Sequence, residues 1–567
     1  MFYKKFLKKL ILSLALLLIM IAPQYIIAQE KLLDIMSSEL ERNMEALKNQ
    51  ETPPYYINYR VDDISSFYIK ASFGDLIKSQ DTKERLLTIM VRVGDNKLDN
   101  FHEIRESGGF GYYSFSMNKV NLPIEDNETA IRQILWLQTD KKYKNASNKY
   151  AKVKANIAVK VEEEDKSSDF SKEKAYQYYE PPLKVEDIKF DSKNWEEKAK
   201  NYSKIFLDDP DILKGDAYIQ YKVERKYFVS SEGGKIAQNM VYVHLYINGS
   251  IKADDGMILP LYKSYFAYSS DGLPDDQTIM SDVKELVKKL KLLKNAPVVE
   301  PYTGPALLSG SASGVFFHEI FGHRIEGQRQ KSVSDGQTFK KKVGEKVLPA
   351  HLSIIMDPTI NNYNGTDLNG YYKYDDEGIL AQKVVVVKDG VLKQFLMSRC
   401  PIENFSNSNG HGRAEAGKQP VTRQSNLFVV TTNPQSMKEL RKLLIKEAKK
   451  QNKEYAYLFQ SVIGGFTMTG RYIPNAFNVT PTEVYRIYVD GSRPDELVRG
   501  VDLVGTPLAM FSQIQKVGDT AEIFTGTCGA ESGRVPVTGI SPAIFVKQIE
   551  MQKKSKSQEK SPILSRP

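Results

Sequence analysis

The sequence predicts an α+β protein, and two patterns support that class. The first half of the chain repeats the order helix, strands, helix. The second half is mostly short apolar–polar alternations, the pattern of antiparallel strands. A helix must end at Asn295-Ala296-Pro297, which divides the halves. We therefore expect two α/β subdomains in 29–296 and a mostly antiparallel β domain in 297–550, with a histidine-bearing helix at its start.

Each N-terminal repeat opens on an apolar helical stripe, Leu33 to Leu47 in the first and Trp195 to Phe206 in the second. Strands and a closing helix follow in each repeat. The predicted strands are Tyr55–Val61, Phe67–Phe73, Leu86–Val93, Ala217–Val229, Asn239–Ile247 and Leu261–Tyr268, and the closing helices are Glu128–Leu137 and Gln277–Leu293. Between the repeats, the charged and unpatterned Glu162–Lys174 predicts a solvated loop.

The C-terminal half contains a clear hairpin and a clear surface helix. Val384–Val387 and Val391–Leu396 flank Lys388-Asp389-Gly390, and a D-G pair favours a tight turn. The helix Ser436–Lys449 carries one apolar face. That predicted face consists of Met437, Leu440, Leu444 and Ala448.

The N-terminus has the pattern of a signal peptide over residues 1–28. Four lysines precede the apolar run Leu10–Ala22, Pro23 follows it, and cleavage after Ala28 is plausible. The run is short for a membrane span of about 20 residues. We expect an exported, periplasmic protein; the alternative is a chain anchored in the membrane by an uncleaved signal segment.

The net charge of +9 is concentrated at the two ends of the chain. The N-terminal lysines carry part of it, and the lysine-rich tail 551–567, which lacks periodicity and predicts disorder, carries another part. The body between these ends is nearly neutral. Charge therefore gives no argument for a nucleic-acid partner.

Residues 311–327 hold the strongest chemical signal in the chain. His318 and His323 lie five residues apart, and Glu319 directly follows the first histidine. Ser311 or Ser313 can cap the helix that carries them. A histidine pair beside a carboxylate on a buried helix is how zinc hydrolases assemble two imidazole ligands and a general base.

The spacing H-E-x-x-x-H is one residue longer than the common zincin pattern. On a regular helix the two imidazoles would diverge by roughly 140°. A π-type widening, with one i→i+5 turn, would bring them to one face. We expect this irregularity at Phe321–His323, where Gly322 tolerates it best.

A third ligand candidate is Cys528, which lies between glycines in Gly526–Val537. H-E-x-x-x-H followed far downstream by G-x-C-G-x-x-x-G-x-V-P-V resembles the TldD/PmbA family of metallopeptidases. The resemblance implies that His318, His323 and Cys528 bind zinc and that Glu319 is the catalytic base. PmbA-type members lack the histidine motif, so the chain resembles the catalytic TldD type.

The resemblance extends over the C-terminal half and implies an activity. It implies a zinc-dependent peptidase that cleaves short or unfolded peptides, within a homodimer or a heterodimer with a related chain. Two further segments, Asp375–Gly378 and Gly410–Arg413, look like family segments near the active site. Three protein ligands leave one zinc position for water, and a thiolate among them makes the ion a weaker Lewis acid, which suits a selective peptidase.

Three more residues are candidates for the surroundings of the site. Glu326 follows His323 by three residues and can accept its imidazole N–H; a solvated glutamate is the alternative. Neighbouring glycines can expose His411 in a loop, where it binds substrate or polarises a carbonyl, or is an ordinary turn histidine. Arg413, in the same segment, is a candidate substrate contact.

Other interpretations of these residues remain open from the sequence. The histidines can be a satisfied core pair, and Cys528 can form a disulfide with Cys400, which otherwise reads as a buried thiol. Two histidines and a cysteine also suit blue copper, although that site has no use for an adjacent carboxylate. A zinc-stabilised, non-catalytic scaffold subunit is the alternative to a peptidase.

Overall fold

The computed structural model describes residues 30–104, 119–159, 165–184, 186–471 and 476–554. The predicted signal peptide, 1–28, and most of the predicted tail, 551–567, lie outside the described residues. Within the described ranges, no helix is both long and apolar enough to span a bilayer.

The described part of the N-terminal half contains four α-helices and seven strands. The helices are α1 Lys31–Leu47, α2 Glu128–Val159, α3 Ser192–Lys204 and α4 Asp276–Asn295. The strands are β1 Pro54–Ser72, β2 Asp75–Val93, β3 Val120–Asn121, β4 Gln177–Tyr179, β5 Ile212–Ser230, β6 Lys235–Lys252 and β7 Ile258–Ala267. Helix, strands, helix therefore occurs twice in order.

The two repeats join edge to edge in a single sheet. Its order is β3-β2-β1-β5-β6, and both β4 and β7 pair with β6. Strands β1 and β5 pair antiparallel over almost their whole length and hold the repeats together. All four helices cover one face, because Ile57 and Tyr59 of β1 pack in the core under α1 and α2, while Ile69 and Ala71 pack under α3 and α4.

Strand β1 is longer than the sequence suggests. Tyr55–Val61 and Phe67–Phe73 were expected to be separate strands, yet they form one strand of 19 residues. The polar stretch between them stays in the sheet because β2 and β5 pair with it on both sides. Arg60 forms an ion pair with Asp62 at 3.1 Å, which satisfies buried charge on the face away from the helices.

The segment between the repeats is not a solvated loop in its described part. Asp165, Asp169, Phe170 and Ser171 are buried. The backbone N–H of Ser171 donates to the carbonyl of Arg399, 3.1 Å away in the C-terminal domain. The prediction was wrong here because a charged sequence pattern does not show that a second domain covers the segment.

The described C-terminal half contains four α-helices and sixteen strands. The helices are α5 Gly310–Ile320, α6 Gln328–Lys331, α7 Met437–Lys450 and α8 Pro507–Gln513. The strands are β8 Tyr302–Leu308, β9 Leu352–Met356, β10 Asn362–Tyr363, β11 Thr366–Asp367, β12 Val384–Lys388, β13 Val391–Leu392, β14 Gly412–Arg413, β15 Val421–Thr422, β16 Asn426–Thr431, β17 Pro434–Gln435, β18 Tyr455–Thr467, β19 Phe477–Tyr488, β20 Glu496–Val498, β21 Val501–Gly505, β22 Ile514–Ala530 and β23 Gly533–Lys553.

Twelve of these strands form one large, mostly antiparallel sheet. The α+β class predicted from the sequence is therefore confirmed. Strand β23 continues past Glu550, the predicted end of the domain, to Lys553. The predicted D-G turn joins β12 to β13, with φ of 51° at Asp389 and 81° at Gly390, as a type I′ turn requires.

Helix α5 lies against the hairpin formed by β22 and β23. The approach is close at one point, where a Cβ on Gly314 would sit 3.2 Å from the carbonyl oxygen of Gly539. Two facing glycines thus let the helix backbone approach the strand backbone. This contact sets the position of the histidine-bearing end of α5 relative to β22.

Helix α7 begins with a capping box. The Ser436 hydroxyl accepts from the Glu439 N–H, and the Glu439 carboxylate accepts from the Ser436 N–H. Leu440, Leu444 and Ala448 are buried as predicted. Met437 is 44% exposed, so its predicted place on the inward face was wrong; it lies in the first turn, at the border of the apolar stripe.

The face of the N-terminal sheet that carries no helix packs on the C-terminal domain. Lys226 Nζ lies 2.8 Å from Asp376 Oδ1. Arg60 Nη2 donates to the carbonyls of Glu415 and Lys418, each 3.0 Å away. Polar residues on this sheet face therefore form one wall of the space between the domains.

Candidate metal centre and its surroundings

The residue that caps the N-terminus of α5 is not one of the two predicted from the sequence. Ser309 is the N-cap, and its hydroxyl accepts from the Ala312 N–H. Ser313 bonds instead to the hydroxyl of Ser541 on β23, 2.8 Å away. The prediction of Ser311 or Ser313 as cap was wrong because the helix begins one residue after Ser309.

Between the two histidines the helix tightens into a 3₁₀ turn instead of widening into a π-type turn. Helix α5 ends at Ile320, Phe321 follows with φ −112°, and a 3₁₀ turn occupies Gly322–Ile325. The predicted π-type widening was therefore wrong. The tighter turn brings the imidazoles of His318 and His323 together in another way, with ring centroids 5.1 Å apart and planes 80° to each other.

Gly322 is required by packing at this turn. A Cβ there would lie 1.8 Å from Oε1 of Gln424. The Gln424 side chain also donates from Nε2 to the His318 carbonyl, 3.2 Å away. Absence of a side chain at Gly322 therefore lets Gln424 hold the end of α5.

Cys528 approaches the histidines from β22. Its sulphur lies 3.4 Å from Nε2 of His323. One ligand atom from each of His318, His323 and Cys528 falls within 4.8 Å of the others, and this is the group of potential metal ligands found among the described residues. The structure thus brings the three sequence-predicted ligands together.

Both cysteines are free thiols, so a Cys400–Cys528 disulfide does not form. Cys528 is buried. Cys400 is only partly buried, which corrects its prediction as a buried thiol. Neither residue stabilises the fold through a covalent bond.

The tip of the β22–β23 hairpin is held by a buried arginine that the sequence analysis missed. Arg423 is fully buried and donates to the carbonyls of Cys528 and Gly533 and to the hydroxyl of Ser532, at 2.7–2.9 Å. These bonds fix the backbone on either side of the turn. They therefore determine where the sulphur of Cys528 points.

Glu326 contacts His323 as the sequence analysis suggested. Its carboxylate is fully buried and accepts from His323 Nδ1 at 3.3 Å and from Arg329 Nε at 2.8 Å. Arg329 also pairs with Glu531 at the hairpin tip. The carboxylate orients the imidazole so that Nε2 faces the sulphur, the arrangement that supports histidine ligands in metal sites.

Charges inside this cluster shift its proton equilibria. Burial raises the pKa of the Cys528 thiol, but His323, His318 and Arg423 outweigh burial and hold it well below its ordinary value. Burial lowers the pKa of His323, yet Cys528 and Glu326 raise it well above the usual range. Burial likewise opposes ionisation of Glu326, whose pKa falls to about 2 beside His323 and Arg329. These charges therefore favour the thiolate form of the cysteine.

Glu319 lies next to the ligand group without joining it. Its side chain is 7% exposed and packs against β18, where a Cβ on Gly465 would lie 2.8 Å from its Cγ. Arg324 donates to the carbonyl of Glu319. The carboxylate is therefore confined on the helix that carries His318, one residue further on.

His411 is fully buried, so the predicted exposed loop was wrong. Its Nδ1–H donates to the carbonyl of Asn409, and its Nε2 accepts from the Ser425 hydroxyl, both at 3.1 Å. Burial lowers its pKa to about 3. A neutral imidazole with both nitrogens satisfied has a structural place rather than contact with a substrate.

Arg413 and the neighbouring acidic segment are also buried. Arg413 donates from Nη1 to the carbonyls of Gln424 and Pro536. Asp375 accepts the N–H of Gly412, and Asp376 accepts the N–H of Ala414. The two family-like segments therefore pack on each other and on the strand next to the hairpin, outside the ligand group.

The donor set of the cluster fits zinc. In proteins, zinc bonds of about 2.0 Å to imidazole nitrogen and about 2.3 Å to thiolate sulphur put two tetrahedral ligands about 3.5 Å apart. The 3.4 Å between His323 Nε2 and Cys528 Sγ matches that separation. The fold and site thus define a two-domain protein whose C-terminal domain carries a candidate metal site of two imidazoles and one thiolate.

Comparison with known proteins gives the family. The PmbA/TldA metallopeptidase C-terminal domain matches residues 301–553. An Archaeoglobus fulgidus metalloprotease is 33% identical over 46% of this chain and 56% of its own length. A zinc metalloprotease TldD homolog of Saccharolobus solfataricus is 24% identical over 65% of this chain and 80% of its own.

Solved structures agree in fold. TldE from Thermococcus kodakarensis superposes with a TM-score of 0.58 at 13% identity, over 91% of this chain and all of that one. A Thermotoga maritima protein gives the same TM-score at 16% identity. Together the matches support a member of the TldD/PmbA family, with the family's C-terminal domain over residues 301–553. It spans between half and two thirds of the length of the first curated relatives it matches.

Proposed function

We propose that the chain is a zinc-dependent peptidase acting on short or unfolded peptides. His318, His323 and Cys528 would hold the ion, and Glu319 would be the general base. The observation that carries the proposal is the convergence of two imidazoles and a thiolate within 4.8 Å. The metalloprotease names of the curated relatives support it.

The protein's own residues prepare the site before any metal binds. Charges around Cys528 favour the thiolate form, which is the form that ligates a metal. Glu326 accepts a hydrogen bond from His323 Nδ1–H, so Nε2 is the ring nitrogen that would bind the metal. When bound, zinc supplies Lewis acidity, which lowers the pKa of a coordinated water to about 7.

Glu319 is the carboxylate placed to accept the proton of the attacking water. It directly follows His318 and is held between α5 and the backbone of β18 at Gly465. A buried carboxylate next to the nucleophile can take that proton and later return it to the leaving amine. Gly465 matters here because any side chain would displace Glu319.

The substrate, partner and compartment rest on further arguments. The family relationship favours short or unfolded peptides as substrates. The TldE fold neighbour favours a paired assembly, either a homodimer or a heterodimer with a related chain. The lysines and the apolar run Leu10–Ala22 favour export to the periplasm.

The test is Glu319→Gln in the full chain. We expect the variant to retain zinc, measured by elemental analysis, and to cleave a peptide library at least about 100-fold more slowly, since a general base contributes 10²–10⁴ in rate. Unchanged cleavage by this variant would remove Glu319 from the mechanism. The control Glu300→Gln alters an exposed ion pair with Lys553 and should leave both readouts unchanged.

The same measurements separate a peptidase from a scaffold. If the wild-type chain binds zinc and loses stability on chelation, but no peptide of the library is cut, the peptidase proposal is wrong. The metal would then have a structural role only.

A further inference from the structure

A cavity of about 210 Å³ lies between the N-terminal sheet and the C-terminal domain. The sheet contributes Lys222, Glu224, Lys226, Met240 and Tyr242. The C-terminal domain contributes Tyr372, Arg413, Val535 and Pro536. The cavity is separate from the metal cluster but adjoins it, because Val535 on β23 is the register partner of Cys528 on β22.

Arg413 has an open side in this cavity. Its side chain is 5% exposed, and its guanidinium lies 4.7 Å from the centroid of the Tyr372 ring. Nη1 bonds to the carbonyls of Gln424 and Pro536. Within the part of the chain that the structure describes, the side-chain hydrogen bonds of Arg413 all come from Nη1, and the guanidinium forms no ion pair with a carboxylate.

Two partly buried lysines of the cavity are paired with carboxylates. Lys222 and Lys226 each have a carboxylate oxygen 2.8 Å away, from Glu224 and Asp376 respectively. A buried cation without a carboxylate is costly unless a ligand or water completes it. The Nε–Nη2 edge of a guanidinium matches the two oxygens of one carboxylate. Arg413 therefore presents a carboxylate receptor to the cavity.

The remaining walls indicate the rest of the ligand. Tyr242 lines the cavity beside Met240, and Lys222 Nζ lies 4.4 Å above its ring. Aromatic and apolar walls suit an aromatic or apolar body. The carboxylates of Glu224 and Asp376 oppose a second negative charge, so a dianion such as phosphate fits poorly.

We propose that this cavity binds a small monocarboxylate with an aromatic or apolar body, of the kind presented by the C-terminal residue of a peptide. Arg413 grips the carboxylate through Nε and Nη2, and the tyrosines enclose the body. This site is distinct from the metal centre, and its occupation does not depend on peptidase activity.

The test compares two probes that differ only in the carboxylate. N-acetyl-phenylalanine and N-acetyl-phenylalaninamide are titrated into the full chain by calorimetry, with zinc and after chelation. We expect the acid to bind at least tenfold more tightly than the amide, with the same affinity in both metal states. Equal binding of acid and amide, or no binding of either, overturns the proposal. Binding of the acid that requires zinc assigns it to the metal centre and also overturns it.

Two variants examine the cavity by different routes. Arg413→Lys keeps the charge but loses the two-donor edge, and it should abolish the preference for the acid. Met240→Trp fills the cavity without changing Arg413, and it should weaken acid binding at least tenfold. Circular dichroism checks the fold of both. Retention of wild-type binding by a folded Met240→Trp contradicts the proposal even if Arg413→Lys does not fold.

A matched arginine provides the control. Arg441 on α7 forms an exposed ion pair with Asp495 and does not line the cavity. Arg441→Lys should bind the acid as the wild type does. Competition by inorganic phosphate at equal concentration would contradict the selectivity for a single negative charge.

Discussion

The metal cluster and the interdomain cavity meet at the same hairpin, and a buried histidine near each has a pKa shifted in the opposite direction. His323 lies between the thiolate of Cys528 and the carboxylate of Glu326, which raise its pKa well above the usual range although burial opposes this. His411, behind Tyr372, has only neutral hydrogen-bond partners, and burial lowers its pKa to about 3. Burial lowers the pKa of both histidines, but the negatively charged neighbours of His323 reverse the direction there.

The comparison separates two uses of buried polar groups. Around His323, Cys528 and Glu326 are the hydrogen-bond partners, and their negative charges favour a positive group, either a proton or a metal ion. Around His411 the donors and acceptors balance without net charge, which suits a rigid wall. The presence of a histidine in the sequence does not distinguish these cases. The difference depends on which side chains, distant in the sequence, contact the imidazole in the folded chain.

The largest effect should follow removal of the thiolate. Cys528→Ser replaces a charged sulphur ligand with a neutral hydroxyl, so zinc affinity should fall more than about 100-fold, beyond the range for loss of a supporting residue. Competition with a chromophoric chelator measures the affinity. Binding of N-acetyl-phenylalanine in the cavity should not change, and a parallel loss would show that the two sites are one.

A smaller effect is expected from the supporting carboxylate. Glu326→Gln keeps a hydrogen-bond acceptor for His323 Nδ1 but removes the negative charge, so zinc affinity should fall about 10–100-fold. The same chelator competition measures it. An affinity equal to that of the wild type would mean that Glu326 stabilises Arg329 and Arg423 rather than the imidazole.

The smallest effect concerns stability on the cavity side. The pKa of His411 is about 3 in the folded chain and about 6.5 when unfolded, so the unfolded chain binds the proton first as pH falls. The contribution of neutral His411 to the free energy of unfolding is therefore complete above pH 6.5 and decreases toward pH 3. Between pH 6.5 and 5 the free energy of unfolding should fall by about 2 kcal/mol.

His411→Gln removes this titration. In urea unfolding at pH 6.5 and pH 5, the variant should lose about 2 kcal/mol less stability than the wild type over that interval, although it starts less stable because its hydrogen bonds are imperfect. An identical pH dependence in both chains would mean that His411 is not held neutral by burial.

Much of the fold was predictable because its signals are local. Alternation and helical stripes placed most long elements, and the D-G pair at Asp389-Gly390 located a turn whose backbone needs positive φ at both positions. The limits of β1 were not predictable, since pairing on both sides keeps a polar stretch in a strand. Buried loops such as the one around Phe170 depend on a domain that local pattern cannot show.

The candidate site divides in the same way. His318, Glu319, His323, Glu326 and Cys528 all followed from spacing or from family resemblance, and the structure brings His318, His323, Glu326 and Cys528 together. The roles of Arg329, Arg423 and Gln424 could not be predicted, because isolated basic and amide residues form no recognisable sequence motif. The 3₁₀ turn after α5 was also missed, since its cause is the contact between Gly322 and Gln424.

The sequence separation of 205 residues between His323 and Cys528 has a consequence for biosynthesis. A nascent chain exposes both imidazoles long before the ribosome reaches the sulphur. The complete ligand set therefore exists only after β22 has been made and paired with β23. A nascent chain that has not reached β22 carries no third ligand, so under the proposed mechanism it could not cut its neighbours.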